Sequence, residues 1–343
     1  MVAKYGADAF RFTLASGSGY NRGINLDPER IAGHRNFINK IWNAFRFIHP
    51  FIEKAQPELP SLESLDPHEK WILGELNLTA KEMNESMEEF RYDDSCSSIY
   101  SFVYDKLCSW FIELSKPIFS GDDEAAKVRR ASVLKYSFKQ VVALLHPISP
   151  YITEELWGYL KEKDEDLIII QDYPEFDKNL SFPKEQLEMN RFIDVVGVIR
   201  NLRSSVNIKP KEEVAVTLMT DIEEAKAYFI DNEINFRKMA KVNNLTVSDK
   251  KANRPQKAIV GATTHTDIFI PLEGVIDINE QISRLEKEIK KCEKEFQKYD
   301  KKINNKKFLG NAPDEVVEEV KTNHKAFGEK LSSLKESLVN FKG

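Results

Sequence analysis

Wound at 3.6 residues per turn, residues 33–48 put Arg35, Asn36, Asn39, Lys40, Asn43 and Arg46 on one side of a helix. Phe37, Ile38, Ile41, Trp42, Phe45 and Ile48 fall on the other. The polar side holds three amides, three cations and no carboxylate. Solvated helix faces ordinarily mix both signs, so this set suits an anion or the hydrogen-bonding edges of bases. Phe47 falls on the same side, in reach of Asn36, Lys40 and Asn43. A flat ring among amides and cations is what stacking on an unpaired base requires. The same residues also fit a packed helix with a merely solvated polar face and Phe47 tucked under a neighbour. The residues alone leave both open.

Other chemistry-bearing residues group less well. Ser16-Gly17-Ser18-Gly19-Tyr20-Asn21-Arg22-Gly23 is glycine-rich, but no Lys-Ser/Thr ends it and no strand precedes it, so it reads as a connector and not a phosphate cradle. Asp93-Asp94 and Glu154-Glu155 sit at helix starts, where dipole and capping roles outweigh acid–base work. His34, His49, His68, His146, His265 and His324 are scattered, and each reads as a surface or packing residue. Cys96, Cys108 and Cys292 form no C-x-x-C pair, which argues for a reducing compartment and against a zinc knuckle. There is no dinucleotide fingerprint and no Ser-His-Asp candidate. The expectation is a chain with no catalytic residue and no metal. A second cationic surface lies far along the chain, where residues 287–307 carry nine lysines against four acids.

The elements that must position these surfaces follow from composition and period. At 343 residues the chain is long enough for two or three domains, and 41% apolar with 31% charged residues is ordinary for a soluble helical protein. A net charge of −5 excludes a globally basic nucleic-acid binder, so any such contact is local; residues 11–46 supply it, with six Arg/Lys against Asp27 and Glu29. No apolar run approaches the roughly 18 residues of a membrane span and no signal peptide precedes the first helix, so the expected location is cytoplasmic.

A helix over Gly6–Ser16 is followed by the organising helix, with Asp27 as N-cap, Pro28 at its first position and an end near Ala55. Three long amphipathic segments come next, striped by Trp71, Leu76, Met83, Met87 and Phe90; by Ile99, Phe102, Val103, Leu107, Trp110 and Leu114; and by Val128, Leu134, Phe138, Val141 and Leu145. Pro117 and Pro147 close two of them, Asp122 can cap between, and Ser149-Pro150 starts a short helix through Leu160. Each of Trp42, Trp71, Trp110 and Trp157 anchors a different helix of one bundle. Leu167-Ile168-Ile169-Ile170 reads as extended. A helix over Pro183–Ser204, a helix near Glu223–Ala240, and strands at Val214–Leu218, Leu245–Val247, Lys257–Gly261 and Asp267–Ile270 make a small α+β module.

The last stretch repeats in heptads. Ile278, Ile282, Leu285, Ile289, Cys292, Phe296, Tyr299 and Ile303 recur at alternating four and three. Val317, Val320, His324, Phe327, Leu331, Leu334, Leu338 and Phe341 do so after a break at Gly310-Asn311-Ala312-Pro313. Two heptad arms joined by a short turn predict an antiparallel coiled-coil hairpin, each arm reaching roughly 40 Å. Lys306, Lys307 and Phe308 fall at its tip as candidate phosphate and base contacts. The fold class is mainly α: a helical bundle (1–172), an α+β connector (173–276) and a coiled-coil arm (277–343).

Arg35-Asn36-Phe37-x-Asn39-Lys40-x-Trp42-Asn43-Ala44-x-Arg46-Phe47 closely resembles the anticodon-domain helix of class I valyl-tRNA synthetases. Lys4-Tyr5-Gly6-Ala7-Asp8-Ala9-Phe10-Arg11 looks like the segment just after that family's KMSKS loop. The stretch Leu145-His146-Pro147-Ile148-Ser149-Pro150-Tyr151-Ile152-Thr153-Glu154-Glu155-Leu156-Trp157 is similar to a helix junction shared with the isoleucyl and leucyl relatives. Asn304-Asn305-Lys306-Lys307-Phe308-x-x-Asn311-Ala312-Pro313-x-Glu315-Val316-Val317 resembles the hairpin turn of the bacterial valyl enzymes, whose isoleucyl and leucyl relatives end differently. Where the family usually has a Gly-Arg/Asn-Asp-Ile turn, this chain has Asn21-Arg22-Gly23-Ile24.

The resemblance runs to the end of the chain and implies the C-terminal part of a longer valine–tRNA ligase. It implies a helical-bundle anticodon-binding domain and tRNA(Val) as partner. Lys40 and Phe47 match family positions that touch the anticodon loop; Arg35, Asn36 and Asn43 are added from the same face. No HIGH-type or KMSKS-type sequence occurs, so this stretch alone should be inactive and hold no cofactor. The parent would use ATP with Mg to charge valine, and would supply the missing catalytic and editing domains as partners, as a monomer. Two alternatives remain: the same region of an isoleucyl or leucyl enzyme, or a helical scaffold whose coiled coil binds protein.

Overall fold

The computed structural model describes residues 1–19, 23, 26–162, 166–272, 278–304 and 314–342. The chain is mainly α-helical with one four-stranded sheet, and it divides into two compact units, Met1–Met189 and Asn190–Gly343.

The first unit contains α1 (Val2–Tyr5), α2 (Ala7–Ala15), α3 (Pro28–Ile52), α4 (Pro67–Glu88) and α5 (Tyr92–Ser101). A π-helical stretch, Phe102–Phe111, leads from α5 into α6 (Ile112–Ser120), and α7 (Glu124–Leu145) and α8 (Pro150–Leu160) follow. Helix starts obey local chemistry. Asp27 accepts from the Glu29 amide at 2.9 Å with Pro28 behind it, and Asp66 forms a reciprocal capping box with Glu69. Asp123, not Asp122, caps α7, accepting from Ala126 N at 3.0 Å, because the helix begins one residue later than the spacing suggested.

Pro117 does not end a helix; it lies inside α6, which continues as Phe119 stacks on Phe51 at 4.0 Å. Trp71, Trp110 and Trp157 are core residues, whereas Trp42 is only half-buried. Phe90 leaves the α4 stripe: the helix stops at Glu88, and Phe90 stands beyond it at φ 58, mostly exposed. Leu167–Ile170 is not extended. Ile168–Ile170 makes one 3-10 turn that buries Ile168 alone and leaves Leu167, Ile169 and Ile170 outside, since so short a turn has one inward position.

Two polar junctions tie this unit together over long sequence distances. Asp8 of α2 accepts from the amides of Tyr151 and Ile152 at 3.2 and 2.7 Å, capping α8 from another element, while Arg11 donates to the carbonyls of Ile148 and Pro147 at 3.0 and 2.9 Å. Arg130 of α7 is fully buried. It donates to Glu69 Oε1 at 3.0 Å, Asp66 Oδ2 at 2.6 Å and Ser115 Oγ at 3.1 Å, with the Phe111 ring beneath it. Residues 173–180 run along α4, where Asn77 and Asn84 donate to the carbonyls of Asp177, Leu180 and Pro174.

The second unit is built on the sheet, in order β2-β1-β4-β3, from β1 (Val214–Met219), β2 (Val242–Ser248), β3 (Ala258–Ala262) and β4 (Asp267–Pro271). β1 and β2 are parallel, and their crossover holds α10 (Glu223–Asp231) and α11 (Glu233–Ala240); the other pairs are antiparallel. The single helix expected over 223–240 is broken at Asn232, whose amide donates to the Tyr228 carbonyl at 2.9 Å and competes with the helical pattern. The later part of α9 (Pro183–Ser205) packs on β3 at Gly261, where a Cβ would stand 2.6 Å from Val198 Cγ1.

The chain ends in α12 (Ile278–Ile303) and α13 (Asp314–Lys342). Contacts between Glu293 and Lys335 at 2.9 Å and Asp300 and His324 at 3.1 Å show that the two run antiparallel. Rings of Tyr299 and Phe327 meet at 5.5 Å, and Ile289, Cys292 and Val320 are buried between them. Among the described residues no helix is long and apolar enough to cross a membrane.

Candidate nucleic-acid interface

The α3 helix presents the strip. Ile31, Phe37, Ile41, Phe45, Ile48 and Ile52 are buried, which fixes the rotation of the helix and points the opposite side outward. Arg35, Asn36, Asn39, Asn43 and Arg46 are all exposed, and among the described residues none of their side chains engages another part of the chain. From Asn36 to Phe47 the strip is about 16 Å long. It is a row of unused donors and acceptors on a rigid rod.

Phe47 is 39% exposed. Its ring meets Phe51 at 5.8 Å and lies under the Lys116 ammonium at 5.3 Å, while Lys116 also donates to Glu113 at 2.6 Å. The ring is therefore bordered by α6 but not covered by it. Lys40 is half-buried, and its ammonium sits 3.5 Å from the centroid of Tyr104 in the π-helical stretch. Tyr104 in turn lies parallel to Tyr100, centroids 5.4 Å apart, and Tyr100 meets Phe37 at 4.6 Å. The one lysine of that stretch, Lys106, is half-buried and pairs with buried Glu75.

Of the residues singled out in the sequence, Arg35, Asn36, Lys40, Asn43 and Phe47 share this one open side of α3. Lys306, Lys307 and Phe308 lie outside the described residues. Tyr100, Tyr104 and Lys116 border the strip without having been anticipated. Their signal was present: Tyr100 and Tyr104 are four apart on a helix and fall off its apolar stripe, so they had to face something other than the core. No side chain on the strip is placed for acid–base or nucleophilic chemistry. His34, nearest in sequence, shares a hydrogen bond with Thr13 at 2.8 Å, and burial together with the Arg30 charge lowers its pKa to about 4. It stays neutral as a packing residue. Among the described residues no group of three or more His, Cys, Asp or Glu could hold a metal. What the strip offers is hydrogen-bonding side chains, cationic charge and one partly exposed ring.

Comparison with known proteins gives two family matches: the anticodon-binding domain of tRNA ligases over residues 69–218, and the valyl tRNA synthetase tRNA-binding arm over residues 277–342. The chain belongs to the valyl-tRNA synthetase family. It is similar to the valine–tRNA ligase of Enterococcus faecalis, 33% identical over 343 residues, and to that of Geobacillus stearothermophilus, 34% identical over 343 residues, in both cases covering 100% of this chain and 39% of the relative. The ligase of Agrobacterium fabrum is 34% identical over 99% of this chain and 36% of its own length. The chain thus spans under two-fifths of its valyl-tRNA synthetase relatives and corresponds to their C-terminal part. A solved ternary complex of an Agrobacterium radiobacter LeuRS with tRNA and LeuAMS superposes on 53% of this chain and 21% of that one, with TM-score 0.42 and 21% identity, too distant to bear on function. The anticodon-domain match begins at residue 69, after α3, so within the valyl-tRNA synthetase family the α3 strip rests on its own geometry.

Proposed function

We propose that this chain is the tRNA-recognition part of a valine–tRNA ligase, holding the anticodon loop of tRNA(Val) on the α3 strip and the body of the tRNA along α12 and α13. One observation carries the reading: an anticodon-binding match and a valyl-type tRNA-binding-arm match occur in the same chain. The side chains suit that task. Arg35, Lys40 and Arg46 supply charge for phosphates, Asn36, Asn39 and Asn43 supply amides for base edges, and Phe47 supplies a ring for one unpaired base. On the arm, Lys306 and Lys307 would meet phosphates and Phe308 would stack on bases exposed at the elbow. Adenylation of valine with ATP and Mg, and its transfer to tRNA, belong in this reading to the remainder of the enzyme, which works as a cytoplasmic monomer.

The test is filter binding of labelled tRNA(Val) and of a non-cognate tRNA to the chain, with and without heparin. Retention of tRNA(Val) at heparin levels that strip the non-cognate tRNA is the expected result. Equal loss of both would make the strip a generic polyanion surface, and no retention at all would leave a helical scaffold.

A further inference from the structure

We propose that Tyr104, in the π-helical stretch, is a second base-stacking platform beside Phe47, and that Lys40 covers it until RNA arrives. The inference rests on the reading of the α3 strip as an anticodon-loop site. Tyr104 is 38% exposed although its neighbours Phe102, Val103 and Leu107 are in the core, so the ring is held outward by the fold around it. Tyr100 backs it in a parallel arrangement at 5.4 Å and 3°, and Phe37 backs Tyr100, which makes the ring the outer member of a stack anchored in the core. Its backbone is fixed as well: the Ser109 hydroxyl donates to the Tyr104 carbonyl at 2.7 Å. Ten consecutive residues of π-helix are uncommon, and such windings recur where a helix gives up regularity to aim a side chain.

The strip then carries two ring–cation pairs, Lys40 on Tyr104 at 3.5 Å and Lys116 on Phe47 at 5.3 Å. Lys40 and Phe47 are seven positions apart on α3, about 10 Å along its axis. Three nucleotides at roughly 3.4 Å each span about that length. Two rings met at α3 positions so spaced suit separate bases of one single-stranded loop, with Asn43 between those positions. An ammonium over a ring face gains about 0.5–1 kcal/mol at an exposed site. A phosphate draws Lys40 away at little loss, and a base gains the freed face. Lys40 would therefore act twice, shielding the ring in the free protein and holding the backbone in the complex.

The experiment uses the full chain and an anticodon stem-loop of tRNA(Val) carrying 2-aminopurine at each loop position in turn, with stacking read as quenching. Two separated positions should quench. Tyr104→Leu should abolish quenching at one and Phe47→Leu at the other, each weakening binding about tenfold or more, while Tyr104→Phe should behave as the parent. Lys40→Met, which leaves the ring in place, should keep both quenched positions and reduce the salt slope by about 0.7. Because that variant keeps Tyr104, it decides the matter even if Tyr104→Leu does not fold: quenching at one position only would overturn the proposal. Parental affinity and quenching in folded Tyr104→Leu, with Phe47→Leu impaired, would also overturn it and leave the reading of the strip intact. Failure of the unmodified chain to bind the stem-loop would overturn both.

Discussion

Replacing Arg130 by methionine removes one partner from a buried ionic cluster and leaves the rest of the chain as it is. Arg130 and Glu69 are both fully buried, and their bond joins α7 to the first turn of α4. Breaking a buried pair from one side generally costs ~3–5 kcal/mol, because the other charge remains in a poorly solvating place. Here Glu69 would keep the Arg129 guanidinium at 2.8 Å and the Asp66 amide at 2.9 Å, so the loss belongs near the lower end, about 3 kcal/mol. Ser115 and Asp66 would each lose a donor as well. Against a usual domain stability of about 5–15 kcal/mol that is a large fraction. All four tryptophans lie in the first unit, so urea unfolding followed by tryptophan fluorescence reports it directly. Glu69→Leu combined with Arg130→Met should recover part of the loss, since a packed apolar pair carries no stranded charge. An Arg130→Met chain as stable as the parent would refute the account of the cluster as a keystone of the bundle.

Phe47→Ala should weaken tRNA binding by ~1–3 kcal/mol while shifting the melting temperature little, as expected of a ring that is not in the core; a stability loss of ~3–5 kcal/mol with unchanged binding preference would return Phe47 to a packing role. Removing residues 277–343 should lower tRNA affinity and flatten its salt dependence by roughly 0.7–0.9 in log–log slope per lost phosphate contact; an unchanged slope with a smaller oligomer would make the arm an assembly device. Stability should fall as pH drops from 6.5 towards about 4, because burial and Arg30 keep His34 unprotonated in the folded chain while the unfolded chain takes the proton; His34→Gln should flatten that window in urea titrations. A further loss should follow below about 4. Burial alone would raise the Asp66 carboxyl, but Arg130, His68 and the Glu69 amide hold it below its ordinary 3.8, so its contribution is complete above that value and disappears as pH falls through the folded one; Asp66→Asn should remove this acid limb.

Local chemistry was legible in the sequence. The Asp27-Pro28 start of α3, the Ser149-Pro150 start of α8, the position of β1 and the apolar side of α3 follow from period, capping and turn residues that act within a few positions of themselves. The same locality explains the failures. Phe90 continued a stripe on paper, but a helix that stops at Glu88 no longer carries the register to it. Four apolar residues at Leu167–Ile170 resembled a strand, yet among the described residues their backbone closes a 3-10 turn, with the Ile170 amide donating to the Leu167 carbonyl at 3.3 Å.

Period and composition alone determined that residues 33–48 form an amphipathic helix with a carboxylate-free polar side, and that two heptad segments close the chain. Tertiary structure decided what covers that side. Phe47 could have lain under a neighbour; it is bordered by Phe51 and by Lys116 of α6 and left partly open. Tyr104 came to Lys40, Asp8 to Tyr151 of α8 and Arg130 to Glu69 across 64, 143 and 61 positions of sequence. Side-chain periodicity specifies the face a residue occupies on its own element. Which foreign element meets that face depends on how all the buried surfaces fit together at once, and no local pattern encodes that.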